Sequence, residues 1–385
     1  MTEELSISIV YDAVFPWEKG GAQKRVYELA TRLAEDHDVH LYGMHYWDGP
    51  EVMQRDGITY HGVCEPYELY TDGRRAIPPA LKFATHLTRE LAGTDYDIID
   101  CQQFPYFPVL ASKLRELTND TTLVVTWYEV WDDYWYDYLG WKGAFGKTVE
   151  QLTMRAPEHV VPISSFIEDD LREAGYTGEL TVVENGVDYQ GIQEIPAAEE
   201  DWDVVYVGRL AEHKNVGWLL DAGDAAEDEL DRPVETCIVG DGPERDRLER
   251  IANERNLTNV TFQGFVEADE DVIGHMKAAS VFVLPSIREG FPNTILEANA
   301  CGVPSIVVNH PENGSTAVVE DGETGFVVDQ GSEAITDQLT ELLTDDELLV
   351  DVSAGAKRYG EAHDWDEIVA DLEAVYRKTR GRQRV

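Results

Sequence analysis

Short apolar runs alternate with amphipathic stretches of helical length along the whole chain. The first run, Leu5–Tyr11, is followed by a glycine-bearing loop and by a helical pattern over Ala22–Glu35. Such alternation is typical of α/β domains with a parallel sheet. Because 385 residues exceed the usual length of one domain, the pattern predicts two doubly wound α/β domains. The other predicted strands are Val39–Tyr42, Ile98–Cys101, Leu123–Thr126, Val160–Ile163, Leu180–Val183, Val204–Val207, Thr236–Val239, Val260–Gln263, Val281–Leu284 and Ser305–Val308.

The predicted boundary between the two domains lies within residues 186–202, where the acidic, proline-bearing sequence EIPAAEEDWD separates two series of strand patterns. We place the first domain at 1–188 and the second at 189–364. A last helical pattern, Glu367–Arg377, either closes the second domain or, as a C-terminal helix over 365–385, crosses back to the first.

The charge balance excludes one class of partner. The chain has 75 acidic and 31 basic residues, which give a net charge of −44, and only ten of the basic residues are lysines. A field of this sign repels phosphate backbones and anionic lipids, so nucleic acid is excluded as a partner. Self-repulsion on this scale is tolerable where molar salt screens it, so we expect a salt-adapted protein.

The cysteines give no sign of a metal site or of disulfides. All four lie far apart, without a C-x-x-C pair or an adjoining histidine cluster. A paired-aspartate metal motif is also missing, so we expect neither a metal nor a cofactor. The N-terminus is acidic where a signal peptide would be basic, and no apolar run approaches the ~20 residues of a membrane span. We therefore expect a soluble cytoplasmic protein, and the sequence leaves its oligomeric state open.

Candidate phosphate-binding groups fall where parallel strands would end. Gly20 and Gly21 precede the first helix, where backbone N–H groups can approach a ligand phosphate, although a plain tight turn needs the same residues. Arg209 and Lys214 follow a strand of the second half, and together they could neutralise a diphosphate. Pairing with surface carboxylates is the alternative for these two cations.

The most informative segment is SIREGFPNTILEANACG at 286–302. Glu289 lies in a Gly/Pro turn after a strand, and Pro292-Asn293-Thr294 opens a helix in the manner of a capped N-terminus. Glu297 lies one turn into that otherwise apolar helix, where a carboxylate needs a polar partner such as a ribose diol. The two carboxylates are eight residues apart and can face one cleft, although a chance helix cap would also contain them.

Two weaker signals accompany this segment. Gly240-Asp241-Gly242-Pro243 is a glycine turn that opens a helix, and Phe265-Val266 could offer an aromatic face and backbone groups to a nucleobase.

In the first half, Trp127–Trp141 contains four tryptophans and four tyrosines in fifteen residues. Aromatic side chains with a polar edge suit sugar stacking or a greasy acceptor, and a long loop that folds on its own aromatic side chains is the alternative.

Together these segments resemble the retaining glycosyltransferases of family 4 (glycosyl transferases group 1) over nearly the whole chain. The resemblance implies the GT-B architecture, in which two Rossmann-like domains face each other across a cleft. The first domain would bind the acceptor and the second the nucleotide-sugar. The segments that carry the resemblance are Gly20-Gly21, Glu184-Asn185-Gly186-Val187-Asp188, Gly208-Arg209-Leu210 with Lys214-Asn215, Gly240-Asp241-Gly242-Pro243, and Glu289 with Glu297.

The resemblance also implies a role for each site residue. Arg209 and Lys214 would bind the donor diphosphate and stabilise charge on the departing nucleotide. Glu289 would contact the donor sugar and favour its oxocarbenium-like state, and Glu297 would hold the ribose hydroxyls. Similar enzymes use cations and a helix N-terminus in place of a metal. The rest of the donor site would comprise Gly20, Gly21, Gly208, Gly240, Gly242, the Phe291, Pro292, Asn293 and Thr294 backbone, and Phe265 and Val266 beside the base.

One position departs from the family pattern. Many relatives carry a histidine near the donor sugar in the turn that here reads Thr126-Trp127-Tyr128-Glu129, and Tyr128 aligns with it. A phenol can hydrogen-bond a sugar hydroxyl but cannot become a cation at neutral pH. The acceptor would be contacted by Gln102, Trp127 and Trp131.

The implied activity is transfer, with retention, of a hexosyl group from a UDP- or GDP-sugar to a saccharide, a lipid-linked acceptor or another hydroxyl acceptor in glycan biosynthesis. Two alternatives of the same fold stay open. One is a non-hydrolysing sugar-nucleotide epimerase, and the other is a non-catalytic nucleotide-sugar-binding protein. A lipid-linked acceptor would bring the enzyme to the inner face of the membrane as a peripheral protein, although the sequence shows no basic patch for such docking.

Overall fold

The chain forms two compact units in the computed structural model, which describes residues 3–67, 70–71, 74–75 and 77–383. Unit 1 comprises Met1–Asn185 and Trp365–Val385, and unit 2 comprises Gly186–Asp364. The chain therefore leaves unit 1 after Asn185 and returns to it with its last helix.

Unit 1 is built on a mostly parallel sheet. Its strands in chain order are β1 (Ser6–Val10), β2 (Asp38–Gly43), β3 (Val52–Arg55), β4 (Ile58–Gly62), β5 (Tyr70–Thr71), β6 (Arg74–Arg75), β7 (Ile98–Gln102), β8 (Thr122–Trp127) and β9 (His159–Pro162). Seven of them form one sheet in the order β3-β4-β2-β1-β7-β8-β9, and β3 pairs with β4 antiparallel. β7 and β8 are buried along their whole length, which explains their continuous runs of largely apolar residues.

Helices cover this sheet. They are α1 (Gly21–Leu33), α2 (Ile77–Glu90), α3 (Phe107–Glu116), α4 (Tyr134–Leu139), α5 (Gly143–Met154) and α6 (Ser165–Glu173). A 3₁₀ turn over Gly140–Lys142 joins α4 to α5. The last helix of the chain, Trp365–Gln383, packs against α1, where Arg32 Nε donates to Asp366 Oδ1 at 2.8 Å.

Unit 2 contains a second parallel sheet. Its strands are β10 (Trp202–Val207), β11 (Thr236–Val239), β12 (Val260–Gly264), β13 (Ala279–Leu284), β14 (Ser305–Val308) and β15 (Gly325–Val328). They lie in the order β12-β11-β10-β13-β14-β15, and every pair is parallel. The helices of unit 2 are α7 (Tyr189–Glu194), α8 (Val216–Leu230), α9 (Arg245–Arg255), α10 (Asp269–Lys277), α11 (Asn293–Cys301), α12 (Ser332–Thr344) and α13 (Asp346–Ala362). The last helix, α14 (Trp365–Gln383), belongs to unit 1.

All but one of the predicted strands are confirmed to within a few residues. The exception is Leu180–Val183, which makes a single bridge from Leu180 to Val160. Val183 N–H donates to the Pro162 carbonyl at 3.1 Å, but Pro162 has no N–H with which to extend the ladder. The prediction of a strand there was wrong because of this proline at the end of β9.

Five of the strands were not predicted. β3 and β4 form a hairpin whose turn is Asp56-Gly57, with φ of 52° and 81° at the two residues. Positive φ at both positions is what a two-residue hairpin turn requires, and Asp-Gly is a strong sequence signal for it. β5 and β6 have two residues each, which is too few for a pattern. β15 (Gly325–Val328) has four residues, as many as β11 and β14, and was not recognised.

Candidate active site

Unit 2 has the sheet order that creates a ligand-binding crevice. β10 pairs with β11 on one side and with β13 on the other, so the strand order reverses at β10. Open α/β sheets bind ligands beyond the carboxyl ends of the strands at this point. Arg209 and Lys214 lie on the loop after β10, and Glu289 lies on the loop after β13. The fold of unit 2 therefore places the predicted catalytic residues together beyond the carboxyl ends of its strands.

The loops after β10 and β11 approach so closely that glycine is required. A Cβ atom on Gly240 would overlap the carbonyl oxygen of Gly208, and one on Gly242 would overlap that of Leu210. The backbones are also bonded, since Leu210 N–H donates to the Asp241 carbonyl at 2.9 Å. Gly208, Gly240 and Gly242, which were predicted at the donor site, thus allow the loops after β10 and β11 to pack against each other.

Lys214 and Glu289 form an ion pair between Nζ and Oε1. Their side chains are 17% and 11% exposed, so the pair is mostly withdrawn from water and screened less than a surface pair. The two loops are joined beside it, because Ile287 N–H donates to the His213 carbonyl at 3.1 Å. Lys214 thus pairs with a carboxylate, as the alternative interpretation proposed, but its partner is the predicted catalytic glutamate.

The ion pair contributes to the pKa shifts of two neighbouring side chains. Burial and the nearby Glu289 carboxylate raise the pKa of Tyr206, whose hydroxyl donates to the Arg209 carbonyl at 3.1 Å. Partial burial and the Lys214 ammonium lower the pKa of His213. The Arg209 residue itself is exposed. The ion pair thus lies near a neutral histidine and a protonated phenol.

A buried asparagine that sequence reasoning missed fixes the Glu289 loop. The side-chain amide of Asn313 donates to the Ser286 carbonyl at 2.9 Å and to the Val308 carbonyl at 2.7 Å. Its carbonyl oxygen accepts from Ser315 Oγ at 2.7 Å. Glu289 itself accepts a backbone hydrogen bond from Gly314 N–H at 2.8 Å. Asn313 thereby ties the loop after β13 to the loop after β14.

The helix α11 begins beside Glu289. The helix begins at Asn293, as predicted, but its N-cap is Pro292, which provides no side-chain hydrogen bond, so the prediction of a capped N-terminus was wrong. Phe291, Asn293 and Thr294 are half-buried, and the Pro292 ring is buried. Glu297 is half-buried rather than fully inward, and the helix around it packs through Ile295, Leu296, Ala298 and Ala300.

The loop after β12 carries the residues predicted to flank the base. Phe265 is 76% exposed, whereas Val266 is half-buried against the core of unit 2. A large aromatic side chain that exposed has an open ring face, which suits stacking against a planar ligand.

Unit 1 places its own predicted residues at the carboxyl ends of β1, β7 and β8. Gly20 and Gly21 are exposed at the N-terminus of α1, and Gly20 adopts an extended backbone. Tyr128 follows β8 and is half-buried, and its hydroxyl donates to Gln102 Oε1 at 2.5 Å. Gln102 is 3% exposed, so the structure places this predicted acceptor residue behind Tyr128.

A buried polar cluster supports Gln102 and Tyr128. Asp100 accepts from Gln102 Nε2 at 3.2 Å, from Thr126 Oγ1 at 3.1 Å and from the Tyr376 hydroxyl on α14 at 2.6 Å. Burial raises the pKa of Asp100, while these donors and the Arg25 charge oppose the rise. Burial also raises the pKa of Tyr128. The phenol therefore enters any reaction at neutral pH as a hydrogen-bonding group without charge.

Arg25 on α1 belongs to the same cluster and is 1% exposed. Its guanidinium donates to the carbonyls of Val183 and Glu184 and to Asn185 Oδ1, the last at 2.9 Å. Desolvation lowers its pKa, and the nearby Tyr128 and Asp100 oppose the shift. The buried arginine thus holds the segment through which the chain leaves unit 1.

The aromatic segment Trp127–Trp141 is organised by one buried carboxylate. Glu150 on α5 accepts from the backbone N–H groups of Trp131 and Asp132, both at 2.9 Å, and from the side chains of Tyr106 and Trp135, both at 3.1 Å. Its pKa is raised by burial, against the effect of these four donors. The segment therefore folds back on α5, and the prediction of a loop was wrong over Tyr134–Leu139, which forms α4.

The aromatic residues predicted at the acceptor lie in different surroundings. Trp127 is 0% exposed and packs against Tyr106, with ring centroids 6.3 Å apart. Trp131 is half-buried and contacts Phe104 and Trp135. Only the second of the two predicted tryptophans has side-chain surface that a ligand could reach.

Within the described ranges, no group of three or more His, Cys, Asp or Glu side chains is arranged to hold a metal ion. Among the same residues, no helix is long and apolar enough to cross a membrane. Metal independence stays a prediction.

Both halves of the chain match families of known enzymes. Residues 19–190 match Glycosyltransferase Family 4, and residues 190–359 match Glycosyl transferases group 1. Solved structures share the fold over nearly the whole chain. Sucrose-phosphate synthase of Thermosynechococcus elongatus has a TM-score of 0.76 at 22% identity, covering 97% of this chain and 99% of that one. Anabaena HepE, solved with UDP, has a TM-score of 0.73 at 17% identity, covering 97% and 100%.

The chain belongs to the family 4 glycosyltransferases and has the GT-B fold. An MMP α-(1→4)-mannosyltransferase of Mycolicibacterium hassiacum is 25% identical over 94% of this chain and 96% of that protein. A 2-deoxystreptamine N-acetyl-D-glucosaminyltransferase of Niallia circulans is 29% identical over 31% of this chain. The match spans only about a third, 32%, of the length of that relative.

Proposed function

We propose that this glycosyltransferase moves a hexosyl group, with retention, from a UDP- or GDP-sugar to a saccharide, a lipid-linked acceptor or another hydroxyl acceptor. The observation that carries the proposal is the Lys214–Glu289 pair. It lies beyond the carboxyl ends of β10 and β13, where the strand order of unit 2 reverses. It joins a cation suited to a diphosphate with a carboxylate suited to a sugar that develops positive charge.

The cations and the α11 N-terminus would stabilise the leaving group. A sugar nucleotide already has a good leaving group, so the enzyme has mainly to stabilise the diphosphate charge in a dry site. An ammonium has three donors, so Lys214 can keep Glu289 and still bind a phosphate oxygen. Arg209 would add a guanidinium fork, and the backbone N–H groups after Pro292 would add the partial positive charge of a helix N-terminus.

Glu289 would act on the sugar. Placed beside the anomeric carbon, its carboxylate would favour an oxocarbenium-like state and hydrogen-bond the sugar hydroxyls. Retention would follow if the acceptor attacks from the face of the leaving group and the diphosphate takes the acceptor proton. A covalent intermediate on Glu289 is disfavoured, because double displacement needs a carboxylate on the opposite face. Glu297 would hold the ribose, and Tyr128 would bond a sugar hydroxyl without charge.

The names of similar proteins support a nucleotide-sugar donor and leave the acceptor broad. HepE was solved with UDP, and a Campylobacter jejuni relative, 24% identical over 93% of this chain, is named as an N-acetylgalactosaminyltransferase acting on a diphospho-undecaprenol-linked saccharide. The net charge of −44 supports salt adaptation, and we propose a cytoplasmic enzyme that needs no metal.

The deciding experiment is nucleotide release in molar KCl from UDP-, GDP- and ADP-sugars, with Glu289→Gln as the blank. We expect release from one donor, its loss in the blank, and nucleotide affinity that changes far less than turnover. Release should survive EDTA, and its abolition would contradict metal independence. Nucleotide binding without transfer to any acceptor would favour a binding protein. Interconversion of the sugar without an acceptor would favour the epimerase.

A further inference from the structure

Unit 1 contains a narrow apolar cavity of about 60 Å³ between α2, the loop after β7 and the α4–α5 region. The side chains that define it include Phe104, Tyr106, Trp131, Tyr138 and Phe145. Every described residue that lines it is aliphatic, aromatic or glycine, in a chain of which 28% is charged. A sugar would lose the hydrogen bonds of its hydroxyls there, so the chemistry of the walls selects a hydrocarbon.

The walls of this cavity are preformed. Glu150 lies behind them and binds the backbone at Trp131 and the indole of Trp135, and Gly146 allows the Trp135 ring to lie directly on α5. The Trp131 and Trp135 ring centroids are 4.6 Å apart. A ligand would therefore meet ordered rings and would lose little affinity to reorganisation of the site.

Exposed hydrophobic side chains concentrate on the helices that contribute to this cavity. Seven of the twelve most exposed large hydrophobic residues in the described chain lie on α2, α4, α5 and the 3₁₀ turn between the last two. Trp141 is 84% exposed, and Phe145, which also lines the cavity, is 57% exposed. An apolar path thus leads from solvent into the cavity.

Two loops at the predicted acceptor end of the sheet contribute to the cavity. Phe104, Pro105 and Tyr106 lie on the loop after β7, and Trp131 lies on the loop after β8, the strands that end at Gln102 and Trp127. The two loops are bonded to each other, because Gln103 Nε2 donates to the Glu129 carbonyl at 2.6 Å and Gln103 Oε1 accepts from Tyr128 N–H at 2.5 Å. The head group of a ligand whose hydrocarbon tail lies in the cavity would therefore lie near the carboxyl ends of β7 and β8.

We propose that this cavity binds the hydrocarbon chain of a lipid-linked acceptor. The inference rests on the proposed function and narrows its acceptor to an amphiphile whose chain lies against Phe145, Trp131 and Tyr138 and whose hydroxyl-bearing head lies near Tyr128. A cavity of about 60 Å³ takes only a few methylene groups, so the rest of the chain would lie on the exposed rings of Trp141 and Phe145. A second protein surface would need a broader and flatter contact.

The test is calorimetric titration with decyl maltoside below its micelle concentration, with maltose as the matched head group, in molar KCl. We expect the wild-type protein to bind decyl maltoside and not maltose at the same concentrations. Phe145→Asp should weaken decyl maltoside by about ten-fold or more, because it places a charge where apolar contact is made. Leu152→Asp is the matched control, since Leu152 lies on the same helix, is 55% exposed and does not line the cavity.

Equal binding of maltose, equal loss in both variants, or no binding by the wild type would overturn the proposal. So would a wild-type dimer that only Phe145→Asp dissociates, because the cavity would then serve a second copy of the chain. Nucleotide-sugar binding is titrated on the same samples. Its absence, with selective decyl maltoside binding intact, would count against the proposed transferase and not against the hydrocarbon site.

Discussion

Lys214 is one of ten lysines in the chain, and its ammonium lies against the carboxylate predicted to contact the sugar. Removing it leaves Glu289 without its cation and the diphosphate with one charge fewer to stabilise it. We therefore expect Lys214→Ala to reduce nucleotide release by about 10²–10³-fold, the usual effect of losing one preorganised group at a site of developing charge.

Lys357→Ala is the control for this variant, because Lys357 is an exposed lysine of α13 in the same unit. It should release nucleotide at the wild-type rate. Wild-type turnover in Lys214→Ala would remove Lys214 from the diphosphate site and leave the ion pair as a structural contact.

A second residue-scale prediction concerns acid. His61 on β4 stacks on Tyr42 and shares a hydrogen bond with His40 at 2.8 Å, and burial and His40 lower the pKa of His61 from 6.5 to about 4. The folded state therefore favours the neutral ring. Its contribution to stability is complete above pH 6.5 and is lost as the pH falls from 6.5 toward 4, since the unfolded chain then binds more protons.

The measurement is urea unfolding across this pH range for the wild type and for His61→Gln, which cannot titrate. The free energy of unfolding of the wild type should fall relative to that of the variant as the pH drops. Parallel pH profiles would show that His61 titrates alike in the folded and unfolded chains.

At the scale of elements, Glu150 couples α5 to the aromatic segment that follows β8. Glu150→Gln replaces one acceptor oxygen with an NH₂ group, which would face donors rather than acceptors. We expect the free energy of unfolding to drop by about 2–4 kcal/mol, because buried donors lose their partner. Urea unfolding measures the change. Glu158→Gln, at an exposed position, should stay within about 0.5 kcal/mol of the wild type, and a similar result for Glu150→Gln would contradict its anchoring role.

The sequence predicted most elements but fewer of the contacts that position the site. Strands appear as local apolar runs and glycine turns as local motifs, so Gly208, Glu289 and their loops are recognisable from the sequence alone. The Asp56-Gly57 hairpin also carries a local signal, which the strand prediction did not use. Asn313, by contrast, acts on Ser286, 27 residues away, and Tyr376 acts on Asp100, 276 residues away. Contacts of that span leave no local pattern.

At the scale of the whole molecule, charge sets the conditions of stability. With a net charge of −44, the folded chain repels itself more strongly than the expanded one at low ionic strength. Added salt shortens the Debye length to about 3 Å at 1 M. The urea midpoint should therefore rise steeply with KCl and much less with sucrose at matched osmolality. Equal rises would attribute the stabilisation to solvent exclusion and would contradict a salt adaptation based on charge.

The return of α14 to unit 1 has a consequence for biosynthesis. Unit 2 is one uninterrupted stretch, Gly186–Asp364, whereas unit 1 needs Tyr376 to complete the hydrogen bonds of Asp100. Synthesis runs from the N-terminus, so the ribosome makes most of unit 1 first but supplies its last helix only after all of unit 2. The domain begun first is thus the domain finished last, and a nascent chain stopped at Asp364 would carry an intact second domain behind an incomplete first one.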